Sequence, residues 1–584
     1  MPASRLAEMP NVQWMALNSP QKAVLKLTPT LTEARASLKL AVSGYELAKI
    51  RRDDVDFVRL DVPGAGITPE VGRPELPVVR RLVVVPDGAK VSFTVKSGSE
   101  LLVTDVQVYP VQEPVPEQMN SLPYMKEMKF AFAKDFYLRD QKYPAELVTV
   151  SKPMKLRDLT VVMVEIAAMQ YNGAKRTLTV NPDVEVELTF SKPFVRETKA
   201  LQQPKTFRKI EKAPEKAATP ESLNRELQIA DRLRSDWLIF DRDWFHDHFP
   251  KLKWHYLILV PDAYAEEIEP LAAWRRSKGM VVKVTKLSAI GAAPTALQIR
   301  DYIKKAYVDH AVEYVLLVGD TNTMPAYSFS NPVGSTVSDY YYALVSGDDL
   351  LPDLAIGRFS ARTEAEVTHI VAKTVNYEKT PAAGAWKRRA LCLSDAGYFE
   401  VTSNYNYGRL VAHGFTVDKL YASLGNATVA NVAAAINNGR LLVSYRGHGA
   451  ENLWWTSGFS NANVNALANG MLLPVIISPT CLTGCYDWAG GDCFSETWVK
   501  SYAAAAPRGA VAYWGSARVS YGGYNDQLSM GAFDDMLAGD HVIGHVVNSA
   551  KLNMIGHYGT GDGTCVLELY LFNLFGDPGL TVGF

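Results

Sequence analysis

The sequence predicts an all-β sandwich or jelly roll followed by an α/β region of two subdomains with mostly parallel sheets. Three observations carry this reading. Over residues 1–194 β-branched residues alternate with polar ones and are punctuated by Gly, Pro, Asn and Asp. Residues 195–235 are rich in Lys, Glu, Pro and Ala and nearly free of large apolar side chains. From about Trp254 apolar runs alternate with amphipathic helical stretches, the pattern of right-handed βαβ units. At 584 residues the chain is too long for one core. The expected boundaries are a β domain at 1–194, a linker at 195–235, and α/β subdomains at 236–380 and 381–584.

Within the β domain, "KVSFTVKSG", "LLVTDVQVYP", "LTVVMVEIAAMQY" and "TLTVNPDVEVELTFSKP" read as strands. "GRPELPVVRRLVVVPDGAKV" adds prolines at strand edges, where a missing N–H is tolerated. The 195–235 stretch cannot bury enough surface to order itself, and its Lys and Arg residues make it a site for proteolytic nicking. Beyond it, "HYLILVPD" is a buried strand and "AYAEEIEPLAAWRRSKG" an amphipathic helix closed by Gly279. "MVVKVTKL" is a strand, "PTALQIRDYIKKAYV" a helix with Pro294 near its start, and "VEYVLLVGD" a third strand. After 385 the scheme repeats through "RALCLSD", "LLVSYRGHG", "LLPVIISPTC" and "GAVAYWGSA", with helices between.

Composition excludes several classes. A net charge of −1 gives no global field for nucleic acid or a membrane surface. No apolar stretch approaches the ~20 residues that span a bilayer. The first thirty residues lack the pattern of a secretory signal, so either the chain is cytosolic or a leader has been removed. Five cysteines in 584 residues do not make a disulfide scaffold.

Chemistry concentrates in "VSYRGHGAENLWW" and "VIISPTCLTGCYDW". His448 and Cys481 each end an apolar strand, and in a parallel sheet ligands bind beyond the carboxyl ends of strands. On neighbouring strands, ~5 Å apart, the two side chains can face one pocket. A thiolate is the nucleophile, and an imidazole beside it lowers the thiol pKa and moves the proton. The N–H groups of Gly449 and Cys481 can hold an oxyanion. The alternative is a buried cysteine behaving as a small hydrophobe. Cys485 and Cys493 could join Cys481 as zinc ligands, but C-x3-C and C-x7-C lack a second close pair. His541 and His545, at helical spacing, read as surface residues.

"YRGHG", then "TCLTG", then "CFSETW" resembles the gingipain-type cysteine peptidases of the caspase-like clan. "YLILVPDAYAEEIEPLAAWRRSKGMVVKV", "IRDYIKKAYVDHAVEYVLLVGD", "SDYYYALVSGDDLLPDLAIGRFS" and "LFGDPGLTV" are similar to segments of that family in the same order, and "GRPELPVVRRLVVVP" to its prodomain. The resemblance implies a caspase-like α/β catalytic domain behind a β-sandwich prodomain. The function it implies is a latent cysteine endopeptidase, secreted or at the cell surface, activated by cleavage within 195–235. Its partners are peptide substrates and its own prodomain; the alternative is a non-catalytic binding or secretion-associated module.

Residue by residue, the resemblance makes Cys481 the nucleophile and His448 the base. It makes Asp395 the acid that assists the histidine and Glu400 an acid of the substrate pocket, the two roles being exchangeable within a residue or two. Tyr521 matches an aromatic that lids the pocket. Arg446 departs from the family, which has a small polar residue there when it cleaves after Arg or Lys. A guanidinium repels a basic side chain unless Glu400 or Asp395 neutralises it, and otherwise clamps an acidic one. No catalytic cofactor is expected; Asp339, Asp348 and Asp353 could hold structural calcium, as the resemblance implies, with exposed loop acids the default reading in the absence of an EF-hand spacing. An inhibitory loop is expected in 120–147, with Lys126, Lys129 and Lys134 as plugs of the cleft. Cys493 is expected to be structural, and Cys485 close enough to Cys481 for an inactivating disulfide.

Overall fold

The computed structural model describes residues 11–17, 26–32, 34–117, 129–193, 238–239, 255–331, 334–503 and 506–584. Expectations for the 195–235 linker and for Lys126 lie outside these residues.

The α/β region is organised by one sheet of ten strands among the described residues. Its strands are β1 (His255–Val260), β2 (Val281–Lys286), β3 (Val312–Val318), β4 (Ala355–Phe359) and β5 (Arg389–Ser394). They continue as β6 (Thr416–Tyr421), β7 (Leu442–Arg446), β8 (Val475–Ile477), β9 (Ala512–Ser516) and β10 (Phe572–Phe575). The spatial order is β2-β1-β3-β4-β10-β9-β8-β7-β5-β6. All pairings are parallel except β9 with β10. β3, β4, β7 and β8 are buried along their whole length, which is why they read as continuous apolar runs. The last strand, β10, lies between β4 and β9, so the C-terminal segment stitches the two halves into a single sheet. Asp577, just beyond it, accepts from Arg275 at 2.6 and 2.9 Å and from Tyr256 at 2.6 Å, pinning the chain end to β1.

The N-terminal region is β-rich. Lys26–Leu31, Arg35–Ala41, Asp183–Phe190 and Val91–Ser97 form one antiparallel sheet in that order. Pro77–Val85, buried throughout, pairs antiparallel with Leu159–Ile166. This second sheet faces the α/β region. Arg80, 2% exposed, donates to Glu165 at 2.6 Å, to the Ile67 carbonyl at 3.0 Å and across the interface to the His557 carbonyl at 2.7 Å. Gly66 lies so near the His557 carbonyl that a Cβ would stand 1.9 Å from its oxygen. Farther along, Lys155 N–H donates to Asp349 at 2.7 Å, Arg157 N–H to Asp353 at 3.0 Å, and the Arg157 guanidinium to Glu313 at 2.7 Å.

Asp339 and Asp353, two of the carboxylates named for structural calcium, are engaged by protein donors. The Asp339 carboxylate pairs bidentately with buried Arg358 at 2.7 Å and accepts from Tyr486. Asp353 accepts the N–H groups of Val345, Ser346 and Arg157, and burial pushes its carboxyl up to about 7 against those bonds. Asp348 is exposed. Among the described residues, no three His, Cys, Asp or Glu side chains are grouped to hold a metal. His545 is not a free surface residue. It stacks on Tyr314 and contacts Glu313 at 3.0 Å and Asp540 at 3.2 Å. Glu313 comes from a distant segment, and Asp540 from the turn before the helix Ile543–Tyr558.

Candidate active site and its cover

Four parallel strands deliver the site from their carboxyl ends: β5 to Asp395, β7 to Arg446 and His448, β8 to Cys481, and β9 to Ser520 and Tyr521. Hydrogen bonds stitch the loops together. Thr480 Oγ1 donates to the Gly447 carbonyl, and Tyr445 Oη donates to the His448 carbonyl at 2.5 Å. Gly449 packs against Cys481 so closely that a Cβ would stand 2.5 Å from the Cys481 carbonyl oxygen. That contact sets the Gly449 and Cys481 backbones beside each other. Leu482 takes a left-handed conformation, φ 64°, which costs a non-glycine residue about 1–2 kcal/mol. The turn is held by Leu482 N–H to the Arg518 carbonyl at 3.1 Å and Thr483 N–H to that of Cys481 at 2.8 Å.

Cys481 is fully buried. Its sulfur accepts from Ser520 N–H at 3.2 Å, and the thiol reaches the Ser520 carbonyl at 3.5 Å. Burial above all, with the negative charges of Glu117 and Glu568, pushes the thiol up to about 12 despite the Ser520 contacts. All five cysteines are unpaired and buried. The Cys485 thiol sits against Arg518 at 3.2 Å and Asp487 at 3.6 Å, and Cys493 opens the helix Phe494–Lys500, its N–H donating to Glu496.

The β domain inserts a segment here that the sequence did not single out. Val115, Pro116 and Glu117 run antiparallel to residues 520–522. Gly522 N–H donates to the Val115 carbonyl at 3.1 Å, Pro116 bridges Tyr521, and Glu117 N–H donates to the Ser520 carbonyl at 2.9 Å. The Glu117 carbonyl oxygen accepts from His448 Nδ1 at 2.7 Å. An amide oxygen only accepts, so Nδ1 carries the proton. The Glu117 side chain is completely buried. Arg446 donates to it twice, Nη1 to Oε2 at 2.8 Å and Nη2 to Oε1 at 2.7 Å, and Asn525 Nδ2 adds a bond at 2.6 Å. Burial raises the Glu117 carboxyl above its ordinary value, Asp526 adds to the rise, and Arg446 and Asn525 oppose it.

Arg446, 0% exposed, also donates to Asp526 at 2.7 and 3.1 Å and to the Pro479 carbonyl at 2.6 Å. Phe399 packs on both side chains, 5.4 Å from the Arg446 guanidinium and 5.1 Å from the His448 ring. Tyr398 stacks on Phe399 and leans over Gly522, whose Cβ would lie 3.6 Å from the Tyr398 ring and 3.1 Å from Glu117 Oε1.

Several expectations need correction. Of the expected lysine plugs, Lys129 and Lys134 are exposed, with the neighbouring Phe130 and Phe132 packed on Phe57 inside the β domain, and Lys126 lies outside the described residues. A lysine ammonium driven against Arg446 would be repelled, whereas Glu117 pairs with it. Glu400 is not among the carboxylates that pair with Arg446. It lies at the start of the helix Phe399–Ala412, where its charge acts on Tyr421. Besides Glu117, the acid on Arg446 is Asp526, on the helix that Tyr521 opens. Tyr521 meets the inserted segment through its backbone, and its N–H donates to buried Glu568 at 2.7 Å. Asp395 borders Gly447, whose Cβ would stand 3.1 Å from its own, and its carboxylate accepts from Ala396 N–H at 2.8 Å. In this arrangement the Glu117 carbonyl, not Asp395, takes His448 Nδ1. Two signals for the insert existed in the sequence. Pro114 and Pro116 hold an extended backbone around Glu117, and a buried Arg446 requires a carboxylate partner.

A thiol and an imidazole at the carboxyl edge of a mostly parallel sheet, under a β-rich cover, are the features of a cysteine endopeptidase that carries its propeptide. The chain belongs to peptidase family C25: that family's model matches residues 250–583, and the C25 propeptide model matches residues 18–213. Gingipain R2 of Porphyromonas gingivalis (strain ATCC BAA-308 / W83) is 26% identical over 534 residues, covering 88% of this chain and 68% of the relative. Lys-gingipain HG66 of the same species is 26% identical over 507 residues, 83% of this chain and 27% of the relative. The crystal structure of the Arg-specific cysteine proteinase gingipain R superposes with TM-score 0.53 at 26% identity, over 57% of this chain and 79% of that one. The complex of the Porphyromonas gingivalis RgpB pro- and mature domains gives 0.53 at 26% identity, over 56% and 79%.

Proposed function

We propose that this chain is a latent endopeptidase in which Cys481 is the nucleophile, His448 the acid–base group, and Val115–Glu117 a substrate-like plug. The observation that carries the reading is the Glu117 carbonyl, held by His448 Nδ1 in a peptide that runs through Ser520 and Gly522 beside the Cys481 sulfur. Once the plug leaves, His448 takes the thiol proton and the thiolate attacks a peptide carbonyl carbon. The oxyanion is held by the N–H groups of Gly449 and Cys481. His448 returns the proton to the leaving amine as the C–N bond breaks, and water hydrolyses the thioester to the acid and the free thiol.

Latency has two physical sources. The inserted segment fills the cleft, and the raised thiol pKa keeps Cys481 protonated while the imidazole is engaged by the plug. Incubating wild type and Cys481→Ala side by side, with intact mass followed over time, tests the assignment. Cuts within 195–235 in wild type alone support it. Identical cutting of both proteins refutes Cys481 as the nucleophile.

A further inference from the structure

We propose that the pocket for the residue preceding the cleaved bond is built for an acidic side chain, glutamate foremost. This rests on Cys481 being the nucleophile, and three observations lead to it. First, Glu117 runs through the site as a substrate residue would: its N–H reaches the Ser520 carbonyl and the residue two before it pairs with Gly522, while its carbonyl is held by His448 rather than by the Gly449 and Cys481 N–H groups. Second, its side chain meets donors suited to a carboxylate. Both terminal nitrogens of Arg446 face its two oxygens, and Asn525 Nδ2 closes on one of them. A planar fork of this kind selects planar anions.

Third, the charge accounting excludes a basic residue. Asp526 Oδ1 is already shared by Arg446 and Thr402, at 2.7 and 2.6 Å, so the empty pocket is close to neutral and buried Arg446 remains tolerable. With Asp526 Oδ1 committed to Arg446 and Thr402, a lysine or arginine drawn to this carboxylate would lay its charge beside the Arg446 guanidinium. Glycine at 522 leaves the room that the carboxylate occupies, since a Cβ would stand 3.1 Å from Glu117 Oε1. An aspartate, one methylene shorter, cannot keep both Arg446 bonds from the same backbone position, and glutamine presents an N–H to one of the two guanidinium nitrogens. The expected order is Glu, then Asp, then Gln, with Lys and Arg far below.

The test has two arms. In the first, the chain is nicked in its 195–235 linker with trypsin, the trypsin is quenched with a serine-protease inhibitor, and fluorogenic peptides of the form Val-Pro-X are compared. Cleavage after Glu at least tenfold faster than after Lys or Arg supports the proposal. Preference for Lys or Arg overturns it while leaving the peptidase standing. In the second arm, intact full-length Glu117→Lys, Arg446→Glu and the double variant are alkylated with iodoacetamide, and Cys481 labelling is read by mass. Glu117→Lys is expected to label at least tenfold faster than wild type, and the double variant to recover most of the protection. This readout needs no turnover. If no peptide is cleaved, the peptidase reading fails and the second arm alone decides the pocket: charge-swap rescue keeps acidic recognition, and equal labelling of Glu117→Lys and wild type overturns it.

Discussion

Removing the cover should change the acidity of Cys481, and the size of the effect follows from the structure. In the closed chain burial, Glu117 and Glu568 push the thiol from its ordinary 9.0 up to about 12. At pH 8 that interval corresponds to about 10³ in thiolate population. A less basic thiolate is also a weaker nucleophile, with a Brønsted coefficient of about 0.4–0.5, which leaves a net gain of roughly 30–60-fold in alkylation rate. Relief of steric cover adds to this. The assay is iodoacetamide labelling of the full chain and of the nicked, fractionated chain from pH 6 to 10, with Cys481 identified by peptide mass. The sign follows from the higher pKa of the closed state. It favours the protonated thiol, so the latent rate should climb tenfold per pH unit through pH 10, whereas the opened chain should level off earlier. Rates within about threefold at pH 8, or one shared plateau, would show that the cover does not control the thiol.

Three more outcomes are expected. Arg80→Ala orphans the Ile67 and His557 carbonyls at about 1–3 kcal/mol each. Cys481 alkylation in the full chain should therefore quicken by tenfold or more, and a lower Tm without faster labelling would limit Arg80 to the β domain's own stability. Asp339→Asn leaves Arg358 unpaired in the core and should cost about 3–5 kcal/mol of stability. Unfolding midpoints with and without calcium should fall equally, and a loss confined to the calcium sample would support the calcium reading. For His545, burial works to lower the pKa, but Asp540 and Glu313 outweigh it and raise it from 6.5 to about 9. The group is more basic folded than unfolded, so its contribution, about 3 kcal/mol, is complete below pH 6.5 and lost as pH rises through 9. Urea titrations of wild type and His545→Gln should converge above pH 9.5, and a constant gap from pH 6 to 10 would contradict this.

The sequence by itself determined the β-rich start, the α/β remainder, and His448 and Cys481 as strand-end residues. Each is a local property: period-two alternation, continuous apolar runs, and a Gly-flanked residue where a run stops. Arg446 was also visible as a charge in an apolar setting, but its meaning was open. Only the tertiary structure decided that Glu117, 329 residues away in sequence, completes it, and that Asp526 rather than Glu400 stands beside it. The same holds for the carboxylates read as calcium ligands. Asp339 is claimed by Arg358, and Asp353 by backbone amides from two domains. Spacing along the chain fixes which groups neighbours present to one another. Which partner a buried charge finds is set by long-range packing, because in the interior an unpaired charge costs several kcal/mol and the fold must bring its complement from wherever the chain holds it.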